Sequence, residues 1–192
     1  MTAIPLRQPA PEAAPPSDEA LVARFQEGEL NAGEELARRY YQPLMRYLQR
    51  LTGQETLAEE LHQQTWLSAL DHLDKFEPGR PGGFKAWIFR IATNKATDHW
   101  RSAGRERAAR TGLRLVSDDP TPDASERLEI TEQQARLKKA IEELPEAQRQ
   151  VVLLRYYSGL KFVEIARLLG CPLNTALGRM HKATIKLREM ME

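Results

Sequence analysis

Apolar residues along the chain recur three and four apart, the spacing of amphipathic helices. From Asp18 onward, Leu21, Val22 and Phe25 form one short segment, and Leu36, Tyr40, Leu44, Tyr47, Leu48 and Leu51 form a longer one that Gly53 closes. A third helix is expected from about Gln54 to Asp74, ahead of the turn-forming run Glu77-Pro78-Gly79-Arg80-Pro81-Gly82-Gly83. A fourth starts near Phe84 and meets no Pro or Gly until Gly104. On its wheel Phe84, Ile88, Ile91 and Ala92 form the buried stripe, opposite Arg90, Thr93, Asn94, Thr97 and Arg101, with Trp87 and Trp100 at the borders. Helical pattern returns through Leu137, Ile141 and Leu144, then through Val151, Val152, Leu154 and Tyr156 to Gly159. No strand-like alternation of useful length interrupts these runs, so the expected fold is all-α.

Two stretches break the pattern. Four prolines crowd Pro9 to Pro16 among Ala and Glu, a composition unable to bury enough apolar surface to offset ordering entropy. Residues 117–133 hold six acids against one Arg, with two prolines and almost no apolar periodicity, and read as a linker. The expected organisation is a disordered tail at 1–17, a first small helical domain at 18–110, an acidic flexible linker at 111–133 and a second helical domain at 134–192.

Within the second domain, residues 162–176 carry helix-turn-helix spacing. The small Ala166 stands four residues before Gly170, which takes a left-handed turn conformation at no steric cost and lets a second helix pack closely. That second helix, roughly Leu173 to Met191, puts Leu173, Ala176, Met180, Ala183, Thr184 and Leu187 on one side. Asn174, Thr175, Gly178, His181, Lys182 and Lys186 lie on or near the other, with Arg179 at the flank. A recognition helix offers early polar residues to base edges and later basic ones to phosphates; a surface helix of an ordinary bundle has the same two faces. Leu177 either touches a thymine methyl or packs under the first helix.

Charge sharpens this reading. The 192 residues carry 28 basic and 27 acidic side chains, a net of +1, with 29% charged and 41% hydrophobic residues, which excludes collagen-like, strongly disordered and membrane-embedded classes. Yet residues 84–110 carry seven basic against two acidic residues and residues 161–192 six against three, flanking the acidic stretch. Two basic segments suit two contacts with a polyanion, because each Lys or Arg set against a phosphate releases counterions; a solvated face gives the same runs. No apolar run approaches the roughly 18 residues of a membrane span, and residues 1–16 lack the apolar centre of a secretory signal, so a cytoplasmic protein is expected.

Catalytic chemistry finds little support. The lone Cys171 has no internal disulfide partner and no Cys or His neighbour at zinc-ligand spacing. The four histidines, His62, His72, His99 and His181, form no His-Glu-x-x-His motif, no Gly-rich phosphate loop is present, and Glu59-Glu60-Leu61-His62 reads as surface and core. Neither an enzyme nor a bound metal or cofactor is expected. Instead, the arginines, the Asn94 amide and the nearby tryptophans of the fourth helix are the components of a single-strand site. On the helix before it, Glu60, Gln63, Gln64 and Leu67 fall at i, i+3, i+4 and i+7, a mixed patch that either docks a partner helix or is solvated surface.

Three stretches together resemble the extracytoplasmic-function (ECF) group of bacterial RNA polymerase sigma factors: LAEELHQQTWLSALDHLDKF at 57–76, FKAWIFRIATNKATDHWRS at 84–102 and LPEAQRQVVLLRYYSGLKFVEIARLLGCPLNTALGRMHKATIKL at 144–187. The resemblance covers about residues 18–192 apart from the linker. It implies a promoter-specificity subunit that joins core RNA polymerase, with an N-terminal domain for the minus-10 element, a C-terminal domain for the minus-35 element and often an anti-sigma partner. By position it implies polymerase contact at Glu60, Gln63 and Gln64, to which the shared helix face adds Leu67. It implies minus-10 contact at Asn94, Thr97 and Arg101, followed by the basic stretch Arg105 to Arg110, to which the polar face of the fourth helix adds Arg90; and it implies minus-35 contact at Asn174, Thr175, Arg179, His181 and Lys182. The family usually has Asp where Glu60 stands, Glu at Gln64, Phe at Trp66 and a Lys-Ser pair at Leu177-Gly178; the last leaves the minus-35 preference open.

On this reading strand opening is trapped by binding energy, since a protein that holds an extruded base and its flanking phosphates offsets an unstacking cost of about a few kcal/mol. The acidic linker is expected to occupy polymerase channels built for nucleic acid until RNA displaces it. A helix-turn-helix regulator that acts without polymerase is the rival, and the patch at Glu60, Gln63, Gln64 and Leu67 separates the two.

Overall fold

The computed structural model describes residues 15–110 and 132–192. The expectations for the Pro-rich tail fall mostly, and those for the acidic linker almost entirely, outside the described residues.

Four helices build the N-terminal unit: α1 (Asp18–Gln26), α2 (Leu30–Thr52), α3 (Glu55–Asp71) and α4 (Gly83–Arg110). The Ser17 hydroxyl caps α1 by accepting from the Ala20 amide at 3.2 Å, with Asp18 and Glu19 in the first turn, where carboxylates suit the positive end of the helix. Asp18 also accepts from the Tyr40 hydroxyl and pairs with Arg39 at 3.0 Å, tying α1 to α2. The apolar stripe of α2 is buried as its spacing predicts, from Leu36 through Leu51, and Gly53 ends the helix at φ 72°. Gly33 lets α1 and α2 close: a Cβ there would stand 2.7 Å from the Phe25 ring. After α3 a 3₁₀ turn (Leu73–Lys75) leads into the Pro- and Gly-rich loop, whose Gly82 and Gly83 have φ of 88° and 53°.

The C-terminal unit consists of α5 (Glu132–Glu142), α6 (Glu146–Leu153), a π turn (Leu154–Ser158), α7 (Phe162–Leu168) and α8 (Leu173–Met191). Among the described residues there is no strand, and no helix is long and apolar enough to cross a membrane. The all-α expectation holds.

Two features were not anticipated. Thr93, read as part of the polar face of α4, is buried: its hydroxyl donates to the Phe89 carbonyl at 2.7 Å and accepts from the Tyr47 hydroxyl at 2.8 Å. Tyr156, read as continuing the apolar run, is 74% exposed, because the wider π turn advances it off the buried face. The two units also share one apolar core. Val151, Leu153, Leu154, Leu160, Ile165 and Leu168 are continuous with the buried side chains of α1 to α4. The joint is made where α2 and α4 meet α6, the π turn and α7.

Candidate nucleic-acid interface

The exposed face of α4 carries Arg90, Asn94 and Arg101, with Thr97 half-buried beside them. Arg105 continues the face as an exposed cation. Arg101 approaches Asp98 at 3.8 Å with both side chains largely in water, a pair too weak to withhold the guanidinium from a phosphate.

A cleft of about 510 Å³ opens beside this face. Trp87, Arg90, Ile91 and Asn94 from α4 line it, together with Lys75 and Phe76 from the turn after α3 and Arg80 from the loop. Phe76 and Trp87 meet edge to face at 5.6 Å, and Phe84 packs against both, so the aromatic floor is held rigid. Glu77 accepts from Arg80 at 2.7 Å and orients it. The combination of an aromatic wall, an amide and surrounding cations matches what an unstacked base and its phosphates require. Lys75 and Arg80 were not among the expected site residues. The signal for them was present in the turn-forming run, but only the fold brings that run over α4.

A second cavity lies between α4 and the C-terminal unit, lined by Asn94, Thr97 and Arg101 on one side and Glu146, Gln150 and Arg179 on the other. The buried Gln150 amide donates to Glu146 Oε1 at 3.0 Å and to Thr97 Oγ1 at 3.4 Å. Arg149 lies over the Trp100 ring at 6.0 Å, and burial lowers its pKa.

The helix-turn-helix is formed as its spacing predicts. Gly170 has φ 62°, the Cys171 amide returns to the Ala166 carbonyl at 2.9 Å, and the Thr175 amide bonds the Pro172 carbonyl at 2.9 Å to start α8. Ala176 and Ala183 are fully buried, whereas Leu173 and Thr184, expected on the same side, are exposed. Asn174, His181 and Lys182 are exposed, Thr175 and Arg179 half-buried, and Leu177 is 41% exposed instead of covered by α7. The Arg179 guanidinium lies 3.8 Å from Cys171 Sγ. Lys186 is turned back to donate to the Glu143 carbonyl at 3.2 Å.

On α3, Glu60 and Gln63 are exposed, and the Gln64 amide donates to Glu60 Oε1 at 2.9 Å, so the polar part of the patch is ordered before any partner arrives. Leu67 is 62% exposed, and Leu70 and Leu30 extend this apolar surface across a groove floored by Phe25, Trp66 and Leu73. Beneath the patch His62 is buried, with Trp66 Nε1 donating to its Nε2 at 3.3 Å and Tyr41 edge-on at 4.8 Å; burial lowers its pKa.

Comparison with known proteins identifies the family. The family model for sigma-70 region 2 matches residues 36–106, and that for sigma-70 region 4 matches residues 134–187. The chain is 31% identical over 157 residues to the ECF RNA polymerase sigma factor SigK of Mycobacterium tuberculosis, covering 80% of each. It is 30% identical over 161 residues to the ECF RNA polymerase sigma factor SigE of Mycolicibacterium smegmatis, covering 82% of this chain and 61% of that protein's length. Among solved structures it resembles CnrH, determined in complex with the cytosolic domain of CnrY, with TM-score 0.67 and 29% identity over 91% of this chain and 96% of that one. It also resembles the sigma factor RpoE of Bartonella quintana, bound there to the anti-sigma factor NepR, with TM-score 0.65 and 27% identity over 82% of this chain and 97% of that one. With both sigma regions matched and a relative 31% identical over four-fifths of its length, the chain belongs to the ECF sigma factors, transcription initiation factors and not enzymes.

Proposed function

We propose that the chain joins core RNA polymerase in the cytoplasm through α3 and uses its two units for the two promoter elements. The unit at 18–110 holds the opened minus-10 strand, and the unit at 134–192 reads the minus-35 duplex. The observation that carries this reading is the cleft at Trp87, Arg90 and Asn94, where an aromatic wall, an amide and flanking cations converge. A base leaving the duplex stacks against the aromatic wall and pairs with the Asn94 amide, while Arg90, Arg101, Arg105, Lys75 and Arg80 draw in the phosphates. No bond is made or broken in the protein; favourable binding of the single strand holds the duplex open. On α8, Asn174 and Thr175 face base edges, and Arg179, His181 and Lys182 flank them, the arrangement of a helix entering a major groove. Glu60, Gln63, Gln64 and Leu67 form the polymerase contact, which Leu70 and Leu30 extend. An anti-sigma factor is the expected regulatory partner, as for the RpoE–NepR complex.

Reconstituted transcription tests this. Purified chain is added to bacterial core RNA polymerase on a library of promoter fragments, and start sites are sequenced. Discrete starts are expected only with the chain present, and Gln63→Ala or Asn94→Ala should remove them. Specific duplex binding without any new starts would overturn the polymerase-dependent reading and leave a regulator that acts alone.

A further inference from the structure

Two apolar faces with rims of opposite charge stand uncovered among the described residues. The first is the groove where α1, α2 and α3 meet, about 390 Å³ in volume and walled almost wholly by apolar side chains, among them Phe25, Ala37, Trp66 and Leu73. Leu30 in its wall is 72% exposed, and Leu70 and Leu67 are exposed on α3. Glu34 lines the groove, and Glu27, Asp71 and Asp74, each within two residues of a lining side chain, are exposed. Arg24 and Arg38, the cations that α1 and α2 carry nearby, are already paired with Glu29 and Glu35, which leaves the rim acidic.

The second face is the outer side of α8. Ala176 and Ala183 are buried on its inner side, where Met180 and Leu187 also pack, so the opposite side points away from the core of its own chain. Leu177, His181, Ile185 and Arg188 are exposed and fall within about 80° of one another at 100° per residue. Ile185 is 44% exposed and stands about 18 Å beyond Leu173 along the axis at 1.5 Å per residue, past the early positions that a recognition helix gives to base edges. Reading a duplex therefore does not account for it. The helix carries four basic side chains, Arg179, Lys182, Lys186 and Arg188, against the single acid Glu189.

We propose that copies of this chain associate by seating the outer face of α8 of one copy in the acidic groove between α1, α2 and α3 of another. An amphipathic helix in an apolar groove is a general mode of docking. Leu177 and Ile185 lie about 12 Å apart along α8, and the groove follows α2 from Leu30 to Ala37 over about 10 Å, so the two apolar side chains match its length. Lys182 and Arg188 then meet Glu34 and its acidic neighbours. The contact joins unlike surfaces, and one helix in one groove is a small interface, so the association is reversible and depends on concentration. It also hides the helix assigned to the minus-35 duplex and the border of the α3 patch assigned to polymerase, a consequence that rests on those two assignments.

Sedimentation velocity of the full chain over a wide range of concentration tests the pairing. The sedimentation coefficient is expected to rise with concentration at low salt, and the rise should shrink as salt screens the charges. Ile185→Glu sets a carboxylate against the acidic rim, and Leu70→Lys sets a cation against α8; each variant alone is expected to stay monomeric. Mixed in equal amounts they should pair, because one supplies an intact groove and the other an intact α8, a rescue that an unfolded variant could not give. A monomer at every concentration would overturn the pairing, as would association that persists in either variant or a mixture that stays monomeric. Duplex binding then judges the masking. At concentrations where the unsubstituted chain associates, Leu70→Lys is expected to bind promoter duplex about twofold more tightly, since each contact hides one α8 of a pair. Equal binding would overturn the masking. Absence of duplex binding by both chains would overturn the masking together with the assignment of α8, while the sedimentation result would still decide the pairing.

Discussion

The hydroxyls of Tyr47 and Thr93 lie 2.8 Å apart in the core, a polar link between α2 and α4 directly beneath the surface assigned to the promoter strand. Tyr47 is fully buried, and that burial raises its pKa, so the phenol stays neutral and donates. Thr93→Val would leave this donor unpaired at a cost of about 1–3 kcal/mol. The Tyr47→Phe, Thr93→Val double variant should recover part of that loss, because both polar partners are then gone. Urea unfolding midpoints measure the pair, and single-strand affinity should be unchanged, since Thr93 is buried and its hydroxyl is held by Tyr47 and the Phe89 carbonyl.

The misplacement of Thr93 has a physical origin. At 100° per residue, the buried positions Phe84, Ile88, Ala92, Ala96, Phe89 and Thr93 span about 180° of the α4 wheel, wider than the stripe inferred from sequence. The helix packs against α1, α2 and α3 on one side and against α7 and the π turn on another, and the second contact comes from residues far along the chain. Local periodicity in α2 was readable because its buried positions from Leu36 through Leu51 are apolar and recur three and four apart, as Leu44 and Leu48 show at full burial. The cap at Gly53 and the turn at Gly170 were readable for a different reason, as each requires a positive φ. The cleft over α4 was only half legible: Trp87, Arg90 and Asn94 share a helix face, whereas Lys75 and Arg80 arrive by a tertiary path.

Arg101 and Asn94 should separate in their response to salt. Arg101 is an exposed cation on α4 that approaches Asp98 only at 3.8 Å in water, so Arg101→Ala should reduce the slope of log affinity against log salt by about 0.7 for a single strand. Asn94 carries no charge, so Asn94→Ala should leave the slope intact and lower affinity by about 1 kcal/mol for strands presenting the preferred base. Fluorescence anisotropy at several salt concentrations distinguishes these outcomes.

His62, buried on α3 against Trp66 and Tyr41, makes the stability of the fold depend on pH. Burial lowers its pKa below the ordinary 6.5, and Trp66 donates to its Nε2, a bond that only the unprotonated nitrogen accepts. Below pH 6.5 the unfolded chain therefore binds more protons at this site than the folded chain. The stability contribution is intact above that pH and is lost as pH falls through 6.5 toward the folded-state value. Urea midpoints at pH 7.5 and 5.5 should differ, with the lower value at 5.5, and the difference should shrink in His62→Gln, whose amide oxygen still accepts from Trp66.

Leu177 and Arg179 bracket Gly178 on α8 and should contribute to duplex binding in different ways. Leu177 is 41% exposed and uncharged, so its contribution to a groove is apolar contact with a thymine methyl. Leu177→Ala should leave the salt slope unchanged and weaken only duplexes that carry thymine at one position. Arg179 stands at the flank, half-buried, with its guanidinium 3.8 Å from Cys171 Sγ, held against the turn of the helix-turn-helix. Arg179→Ala should therefore weaken all duplexes alike and reduce the salt slope by about 0.9. Binding measured on a duplex library at two salt concentrations resolves both effects. Relaxed preference at one position in Arg179→Ala, with the slope unchanged, would instead identify Arg179 as a base reader, because base contacts carry sequence information and phosphate contacts do not.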